Sequence, residues 1–508
     1  MFSKVKSFAL LGLEGIVIDV EVDINNGLPS YDIVGLPDAA VKESKERVRS
    51  AIKNSNFTFP ARKITVNLAP ANVRKVGPMF DLPIALAILA SSSQLVSSRL
   101  KEFVVVGELG LDGKIKPVNG VLPILISARN LGFSKIIIPK LNEKEASYIE
   151  GVEVYAFDNL IDIVSFLTGS VEFESVKQTV WSGEAVNKFY ENFSRVKGQK
   201  IAKRAIEIAV SGGHNILMVG PPGAGKTMIA RCIPAIMPDL TFEEALEITK
   251  IHSIAGTLDL SKGVVGVRPF RSPHHTASTV AITGGGRDAK PGEVSLASEG
   301  VLFLDELPEY QRSTLETMRQ PLEDGVITVS RASGSYEYPA NFMLVASMNP
   351  CPCGNYGSRE LECTCSPSQI QKYLKKISGP LLDRIDLKIN VDRVKFGELS
   401  EKQDEETSEE IKKRVDEARN IQHKRFEGTS VRMNAKMTSK MINEYCKLDA
   451  ESESMMRLAF EKYHISARGY TRILKVARTI ADLDKSEDIK IHHLTEALAY
   501  RNIDKFQM

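Results

Sequence analysis

Short apolar runs alternate with helix-like segments along the first third of the chain. Apolar runs with the length of buried strands occupy residues 15–22, 63–68, 103–106 and 135–138. Helix-period patterns lie between them, at residues 41–54 and 82–91. This alternation predicts one α/β domain over residues 1–167. The pattern then weakens around the single tryptophan, Trp181, and residues 168–194 are predicted to form a linker.

A second alternation begins near residue 195. Apolar strands are predicted at residues 215–219, 300–304 and 342–346. We therefore predict a second α/β domain over residues 195–394. From residue 395 to residue 508 the pattern is helical. Helices are predicted there at residues 411–426, 436–446, 452–463, 471–483 and 491–501.

The apolar strand at residues 215–219 runs directly into the sequence G-P-P-G-A-G-K-T, and a helical segment follows. Strand, glycine-rich turn and helix form the context of a phosphate-binding P-loop. The glycines let backbone N–H groups face a phosphate at the positive end of a helix. Lys226 is predicted to contact the β- and γ-phosphates, and the Thr227 hydroxyl to ligate Mg²⁺. The residues predicted to surround the nucleotide are Gly220, Pro221, Pro222, Gly223, Ala224, Gly225, Lys226 and Thr227.

A second motif predicts hydrolysis of the bound nucleotide. The apolar run at residues 300–304 ends in two carboxylates, Asp305 and Glu306. At the tip of a strand, Asp305 can hold Mg²⁺ and Glu306 can polarise the attacking water. The chain has no Asn-Lys-x-Asp motif of the kind that reads guanine. We therefore predict an ATP hydrolase that uses ATP with Mg²⁺.

The composition is that of an ordinary globular protein. The 508 residues are 43% apolar and 26% charged, which predicts roughly two to four domains. The formal net charge of +2 gives no general argument for nucleic acid, so any DNA contact must rest on local patches. The first residues lack a long apolar segment, and no apolar run reaches about 18 residues. We expect a cytoplasmic protein without a membrane partner.

Four of the six cysteines form two C-x-C pairs, Cys351 with Cys353 and Cys363 with Cys365. Six cysteines are too few for a disulfide framework in a chain of this length. Four thiolates suit a closed, tetrahedral, structural Zn²⁺ site, and redox switching is the alternative. The cluster closely follows the apolar strand at residues 342–346, so we expect loss of zinc to loosen the ATPase site.

Further motifs appear in the order that AAA+ ATPases have them, and they resemble the motifs of that family. Val196 and Gln199 precede the P-loop, where the family lines its adenine pocket, and an ordinary helix entry is the alternative for this motif. Asn349 ends an apolar strand and resembles sensor 1, which orients water against the γ-phosphate. Arg384 stands in the sequence L-L-D-R-I-D, where the family carries an arginine finger that acts on ATP of the neighbouring subunit.

The sequence S-A-R-G-Y-T-R at residues 466–472 opens a long predicted helix and resembles sensor 2. Arg468 is the first choice for the sensing arginine, and Arg472 is the second. A surface salt bridge is the alternative for each single arginine. The resemblance implies that Arg468 couples hydrolysis to rotation of a C-terminal helical lid, residues 395–508.

Two segments extend the second domain. One contains residues 270–276 and a glycine run at 284–286, and the other is a strand, a turn and a return strand over 324–339. They resemble the helix-2 insert and the pre-sensor-1 hairpin of the magnesium-chelatase and MCM-helicase group, whose hairpins project into a ring pore. The basic residues expected to contact phosphate there are Arg268, Arg271, Arg287, Lys290 and Arg331. An ordinary solvated hairpin is the alternative. We expect His274 and His275 to serve packing or the pore, without assigned chemistry.

The first domain resembles the proteolytic domain of Lon proteases at residues 74–78, 107–113 and 117–120. The resemblance implies a Lon-protease-like α/β fold of the ribosomal S5 domain 2 type. Lon peptidases place a serine and a lysine after these motifs, where this chain has Met79 and Leu122. A thioether cannot attack a carbonyl, and an alkyl chain cannot deprotonate a nucleophile. We predict a binding or assembly module without protease activity.

The order of all these motifs is similar to that in the ComM/YifB-type magnesium-chelatase-like AAA+ ATPases, over essentially the whole chain. The resemblance implies a Lon-like domain, an AAA+ core with a zinc-binding insert at residues 351–365, and a helical lid. It also implies a homo-hexameric ring that acts on single-stranded or branched DNA. In that family, ATP hydrolysis drives branch migration during recombination and natural transformation.

Two other functions stay open at this point. A chelatase-like motor could remodel a protein partner, bound through the N-terminal domain, or help to insert Mg²⁺ into a porphyrin. A Lon-like ATP-dependent protease is disfavoured by Met79 and Leu122.

Overall fold

The computed structural model describes residues 1–96, 98–183, 191–286, 289–331, 334–358, 361–394 and 405–501, without the side chain of Arg331. The N-terminal part is a layered α/β unit. Its strands are β1 (Phe2–Leu11), β2 (Glu14–Asn25), β3 (Ser30–Val34), β4 (Lys63–Ala69), β5 (Phe103–Val105), β6 (Glu108–Leu109), β7 (Ile115–Lys116), β8 (Lys135–Pro139) and β9 (Glu153–Phe157). Its helices are α1 (Ala39–Asn54), α2 (Asp81–Ser91), α3 (Val121–Asn130), α4 (Glu143–Ala146) and α5 (Leu160–Thr168).

Seven of these strands form one mixed sheet in the order β3-β4-β2-β1-β5-β8-β9. β1, β2 and β4 are antiparallel neighbours, whereas β1, β5, β8 and β9 run parallel. β2 buries alternate residues from Ile18 to Ile24, as a strand with one covered face should. α2 is apolar on all sides and is buried in the same core. The strands and helices predicted for this part are confirmed, with bounds that differ by three residues or fewer.

The second α/β unit follows from residue 200. Its strands are β10 (Ile216–Val219), β11 (Phe270–Arg271), β12 (Gly284–Gly285), β13 (Lys290–Pro291), β14 (Val301–Leu304), β15 (Val326–Arg331), β16 (Gly334–Pro339), β17 (Met343–Met348) and β18 (Leu387–Asn390). Its helices are α6 (Lys200–Gly212), α7 (Lys226–Ile236), α8 (Phe242–Ala255), α9 (Thr279–Thr283), α10 (Glu293–Leu296), α11 (Arg312–Thr317), α12 (Arg319–Asp324), α13 (Pro367–Leu374) and α14 (Gly379–Leu382).

Five of these strands form a parallel sheet in the order β11-β14-β17-β10-β18. β10, β14 and β17 are buried along their whole length, as expected for central strands with helices on both faces. The three strands predicted in this part are present. Their carboxyl ends meet at one edge, where Val219 is paired with Met348 and Leu304 with Ala346. Open α/β sheets bind their ligands at this edge.

The predicted hairpin and the predicted C-terminal helices are also present. β15 and β16 pair as an antiparallel hairpin in which Arg331 is opposite Gly334. The C-terminal helices are α15 (Ser408–Arg425), α16 (Ser439–Tyr445), α17 (Ala450–Lys462), α18 (Ala467–Leu483) and α19 (Ile491–Ala499). Ser466 caps α18 by accepting the Gly469 N–H, and α18 packs its apolar face on α6. Among the residues that the structure describes, no helix is both long and apolar enough to cross a membrane.

The stretch predicted to be a linker packs against the two α/β units over its first half. The Val176 N–H donates to Val154 O at 2.7 Å, which extends the pairing beside β9. The ring of Trp181 lies 6.4 Å from that of Tyr148 and 6.0 Å from that of Phe242 on α8. Trp181 thus bridges the two units, which the weak sequence pattern did not predict. Residues 184–190 of the predicted linker lie outside the described residues.

A buried polar joint also holds α8 on the N-terminal unit. Ser253 Oγ accepts the Gly120 N–H and donates to Glu145 Oε2, both at 3.0 Å. Asn142 Nδ2 donates to Glu145 Oε1 at 2.6 Å, and the Leu122 N–H donates to Oε2 at 3.3 Å. Burial raises the pKa of Glu145 to about 7, although these hydrogen bonds oppose the rise. Leu122 therefore lies beneath a docked helix.

Candidate active site

The P-loop follows β10 at the carboxyl edge of the parallel sheet and ends in α7. Gly225 has φ of 87°, a backbone conformation that L side chains rarely adopt, and it caps α7. At Gly220 the constraint is steric, because a Cβ there would lie 2.0 Å from Val391 O. Both positions let the loop curl tightly over the start of α7, whose first N–H groups favour an anion.

Lys226 points back into the loop. Its Nζ donates to Gly220 O at 2.5 Å, to Pro221 O at 3.0 Å and to Asn349 Oδ1 at 3.1 Å. Burial lowers the pKa of Lys226, while the charges of Asp305 and Glu306 work in the opposite direction. The structure therefore brings together Lys226 and Asn349, which are 123 residues apart in the chain.

Thr227 and Asp305 form the second contact of the site. Thr227 Oγ1 donates to Asp305 Oδ2 at 2.9 Å. Ser347, near the end of β17, donates through Oγ to Asp305 Oδ1, which also accepts the Glu306 N–H at 3.0 Å. Asp305 is thus held from three sides. A hydroxyl and a carboxylate at this separation are the kind of oxygen ligands that Mg²⁺ takes beside nucleotide phosphates. Sequence reasoning had assigned no role to Ser347.

Glu306 has a neighbour that the sequence did not predict. Its backbone is left-handed, with φ of 52°, and its carboxylate Oε2 lies 3.2 Å from His275 Nδ1. The rings of His274 and His275 lie with their centroids 4.1 Å apart and their planes tilted by 33°. The loop carrying them is tied down because Tyr310 Oη donates to Pro273 O at 2.6 Å. His275 is therefore a contact of the candidate base, in addition to the packing role expected for the pair.

The two residues expected near the adenine lie beside the P-loop. Val196 is buried in the core that also contains α6 and α7. Gln199 has φ of 48°, and its Nε2 donates to Asp392 O at 2.6 Å and to Ala224 O at 3.5 Å. Gln199 thus ties the start of α6 to the P-loop and to the segment after β18.

Arg384 and Arg472 lie at the opposite edge of the sheet from the chain's own P-loop. Asn215, which precedes β10, donates through Nδ2 to Arg384 O at 3.0 Å. Arg384 is paired with the carboxylate of Glu323 and donates to Pro380 O at 2.9 Å. Arg472 is paired with Asp386, which accepts the Asn215 N–H at 3.1 Å. β10 separates these arginines from Lys226.

Arg468 belongs to the same edge and is exposed. Its charge helps Arg384 to lower the pKa of Glu323, so the two arginines share one carboxylate neighbour. Burial alone would raise the pKa of Asp386, but Arg472 and His214 together hold it far below its usual range. Arg472 is therefore committed to a structural ion pair, whereas Arg468 is the more accessible of the two sensor-2 candidates.

The four clustered cysteines converge beside the P-loop. The ligand atoms of Cys351, Cys353, Cys363 and Cys365 all lie within 4.8 Å of one another. The Cys351 sulfur is 3.3 Å from that of Cys353 and 3.7 Å from that of Cys363. Zn–S bonds of about 2.3 Å in a tetrahedron put sulfurs roughly 3.8 Å apart, so the four thiols fit Zn²⁺. A Cβ on Gly354 would lie 2.5 Å from Pro222 Cδ, which shows how closely this segment packs on the P-loop.

The basic residues expected to contact DNA divide into three groups. Arg268 donates to the carbonyls of Pro238 and Glu299 at 2.6 and 2.7 Å. Arg271 forms a two-pronged pair with Glu293 at 2.6 and 2.7 Å. Internal partners hold both guanidinium groups, so a contact with phosphate would require these pairs to open. Lys290 is exposed. Arg287 and the side chain of Arg331 lie outside the described residues.

The parallel sheet, the P-loop after β10 and the Asp-Glu pair after β14 are consistent with a core of the AAA+ type. Family models of magnesium-chelatase proteins match three parts of the chain. The model for magnesium chelatase, subunit ChlI, matches residues 192–399. A model for subunit ChlI of Mg-chelatase matches residues 20–142, and one for the ChlI C-terminal part matches residues 405–501.

Two relatives match nearly from end to end. The competence protein ComM of Haemophilus influenzae is 44% identical over 501 residues, 98% of this chain and 97% of that protein. The uncharacterized protein YifB of Escherichia coli is 45% identical over 505 residues, 99% and 97% of the two chains. This chain belongs to the ComM/YifB-type family of magnesium-chelatase-like ATPases.

The Lon resemblance has partial support. A Lon protease of Salinispora arenicola is 26% identical over 171 residues, which are 31% of this chain and 22% of that protein. In this structure Met79 and Leu122, at the positions where Lon peptidases have serine and lysine, are both buried apolar side chains.

Proposed function

We propose that this protein hydrolyses ATP at a site built from the P-loop, Asp305 and Glu306. The observation that carries the proposal is the cluster in which Thr227 contacts Asp305 and Lys226 contacts Asn349. Lys226 would exchange its loop carbonyls for the β- and γ-phosphates, as its position over the start of α7 favours. Gln199 would hold the P-loop in place beside the adenine side of the site through its hydrogen bond to Ala224 O.

Mg²⁺ would be held by Thr227 and Asp305, and when bound it supplies positive charge to the β- and γ-phosphate oxygens. Ser347 fixes the rotamer of Asp305, so that one carboxylate oxygen stays beside Thr227. Glu306 would accept the proton of the attacking water, and Asn349 would orient that water against the γ-phosphate.

Arg384 would exchange its pair with Glu323 for ATP bound to a neighbouring copy of the chain. It lies at the far edge of the sheet from Lys226, so it cannot serve its own P-loop without unfolding β10 or β18. Arg468 lies at the same edge and would face the same neighbour. We call the sheet edge that carries Arg384 and Arg468 the arginine edge. Both arginines could reach ATP in a ring where the P-loop edge of one subunit meets the arginine edge of the next. The family resemblance implies that such a ring has six subunits.

We further propose that the ring uses this hydrolysis to move along DNA and drive branch migration in recombination and transformation. Support comes from the name of the relative from Haemophilus influenzae, a competence protein. Further support comes from the β15–β16 hairpin, which carries Arg331 next to its turn. The cysteine cluster would hold one structural Zn²⁺ ion and keep the segment after Asn349 against the P-loop.

The test is the ATPase rate with and without single-stranded, duplex and four-way-junction DNA. We expect DNA to stimulate the wild-type rate and Arg331→Ala to remove the stimulation. The matched control is Arg457→Ala, which removes an exposed arginine from α17. Stimulation that survives in Arg331→Ala would contradict the role of the hairpin, and an ATPase indifferent to every DNA would contradict the DNA role.

A chelatase-like motor that remodels a protein partner is the second candidate, because all three matching family models describe a chelatase subunit. The N-terminal unit would then receive the partner. An ATPase that ignores DNA but is stimulated by one co-purifying protein would favour this candidate.

A further inference from the structure

A positively charged groove lies beside the candidate active site and is separate from it. One wall is the segment that follows Glu306, and the other is α13 with the two residues after it. The groove has a volume of about 560 Å³. Its lining residues include Pro308, Glu309, Arg312, Lys372, Lys375 and Lys376. We call it the lysine groove.

Its charges are largely unpaired. The three lysines stand at positions i, i+3 and i+4 and therefore project from one side of the helix. Lys376 Nζ lies 3.0 Å from Glu309 Oε2 and links the two walls. Arg312, Lys372 and Lys375 are exposed and form no ion pair with the part of the chain that the structure describes. Three positive charges thus face one open groove.

We propose that the lysine groove binds the phosphate backbone of nucleic acid. Lysine is depleted at protein–protein interfaces, which rely on aromatic and apolar anchors. The tyrosines of this region, Tyr310 and Tyr373, are buried, and Tyr310 is occupied with Pro273 O. Spaced cations without such anchors suit phosphates, which they bind regardless of base sequence. The proposal rests on the DNA role proposed above and adds a second contact surface to it.

The position of the groove connects it to the ATPase site. Its first wall begins directly after Glu306. Its second wall begins at Ser366, which caps α13 and directly follows Cys365 of the cysteine cluster. A strand in the lysine groove would therefore contact elements that hold the candidate base and the P-loop. DNA held in the lysine groove would therefore act on the hydrolysis rate together with the hairpin and not in place of it.

The test is a salt titration of binding, with fluorescent single-stranded and duplex DNA and the full-length protein. K372A/K375A removes two phosphate contacts. We expect the slope of log K against log salt to become shallower by about 1.4 for single-stranded and about 1.8 for duplex DNA. By the same relation, the affinity of K372A/K375A at 0.1 M salt should be about 25-fold lower for single-stranded DNA and about 60-fold lower for duplex DNA. Different base sequences should be affected equally.

The control is K53A/K101A, which removes two exposed lysines from the N-terminal unit and should leave slope and affinity unchanged. If wild-type protein binds DNA and K372A/K375A keeps its slope, the groove proposal is overturned and the DNA role stands. If wild-type protein binds no DNA, both are overturned. If K372A/K375A changes only the size of the assembly in sedimentation, the groove is a contact between copies and the proposal is overturned.

Discussion

At the scale of single residues, the proposed site depends on side chains that position the candidate catalytic groups and do not themselves react. Ser347 fixes Asp305, and His275 contacts Glu306. Neither residue carries out chemistry in the proposed mechanism. Both residues orient a carboxylate. This orientation matters because a general base must lie within hydrogen-bond reach of the water that it deprotonates. His275 is thus a positioning residue for Glu306.

His275→Ala should lower kcat for ATP hydrolysis by roughly 10-fold, because a misplaced base loses rate. KM for ATP should stay nearly constant, since His275 does not contact the P-loop residues. His275→Asn should recover part of the rate, because its amide can donate from near the position of Nδ1. The measurement is steady-state ATPase kinetics of the three proteins.

His274→Ala is the matched control, because His274 Nδ1 contacts Thr276 Oγ1 at 2.8 Å and not Glu306. A His275→Ala protein with a raised KM and an unchanged kcat would show that His275 serves nucleotide binding instead.

The candidate site was predictable to the extent that its residues are contiguous or end a strand. An apolar strand leads directly into polar residues at the P-loop, at the Asp305–Glu306 pair and at Asn349, and this local pattern predicts all of them. The contact between His275 and Glu306 depends on how the loop after β11 folds over the sheet, which no local pattern encodes. The pairing of Arg268 and Arg271 with internal partners is likewise not encoded by a local pattern, because those partners lie elsewhere in the chain.

At the scale of elements, the cysteine segment links the P-loop to α13. Gly354 packs on Pro222, and Cys365 directly precedes the cap of α13. Four converging thiols around one ion would hold both contacts at once. Elements themselves were predicted well because strands and helices follow local periodicity. The positions of the elements relative to one another were not predicted from the sequence. α18, for example, lies at the arginine edge because its apolar face packs on α6.

Cys363→Ser should reduce bound zinc from about one ion per chain to almost none, because a structural site needs all four thiolates. The ATPase rate should fall in parallel as the segment after Asn349 loosens. Zinc is measured by mass spectrometry of the purified protein, and the rate by phosphate release. Thr364→Ala, an exposed neighbour, is the control. Full zinc content in Cys363→Ser, or wild-type protein without zinc, would contradict the assignment.

At the scale of the whole molecule, α8 joins the second α/β unit to the N-terminal unit through the buried carboxyl of Glu145. Its pKa is raised from 4.5 to about 7 by burial, so the folded protein favours the protonated form. The stability that this group contributes is fully present below about pH 4.5 and is lost as pH rises through about 7. The full effect is on the order of 3 kcal/mol.

Glu145→Gln stays neutral at every pH. The unfolding temperature of Glu145→Gln relative to wild type should therefore rise between pH 5 and about pH 7 and then level off, as measured by thermal melts in matched buffers. Glu143→Gln, on the more exposed side of the same helix, is the control and should show a constant difference. A pH-independent difference for Glu145→Gln would show that the joint does not titrate.

Mixing two inactive variants tests whether ATP is hydrolysed at a site shared between subunits. Lys226→Ala removes the P-loop cation, and Arg384→Ala removes the arginine from the opposite edge. Each alone should be nearly inactive. In rings assembled from equal amounts, roughly a quarter of the sites pair an intact P-loop with an intact Arg384, so activity should return to about that fraction. A mixture as inactive as its parts, in rings shown by mass to contain both variants, would contradict the account.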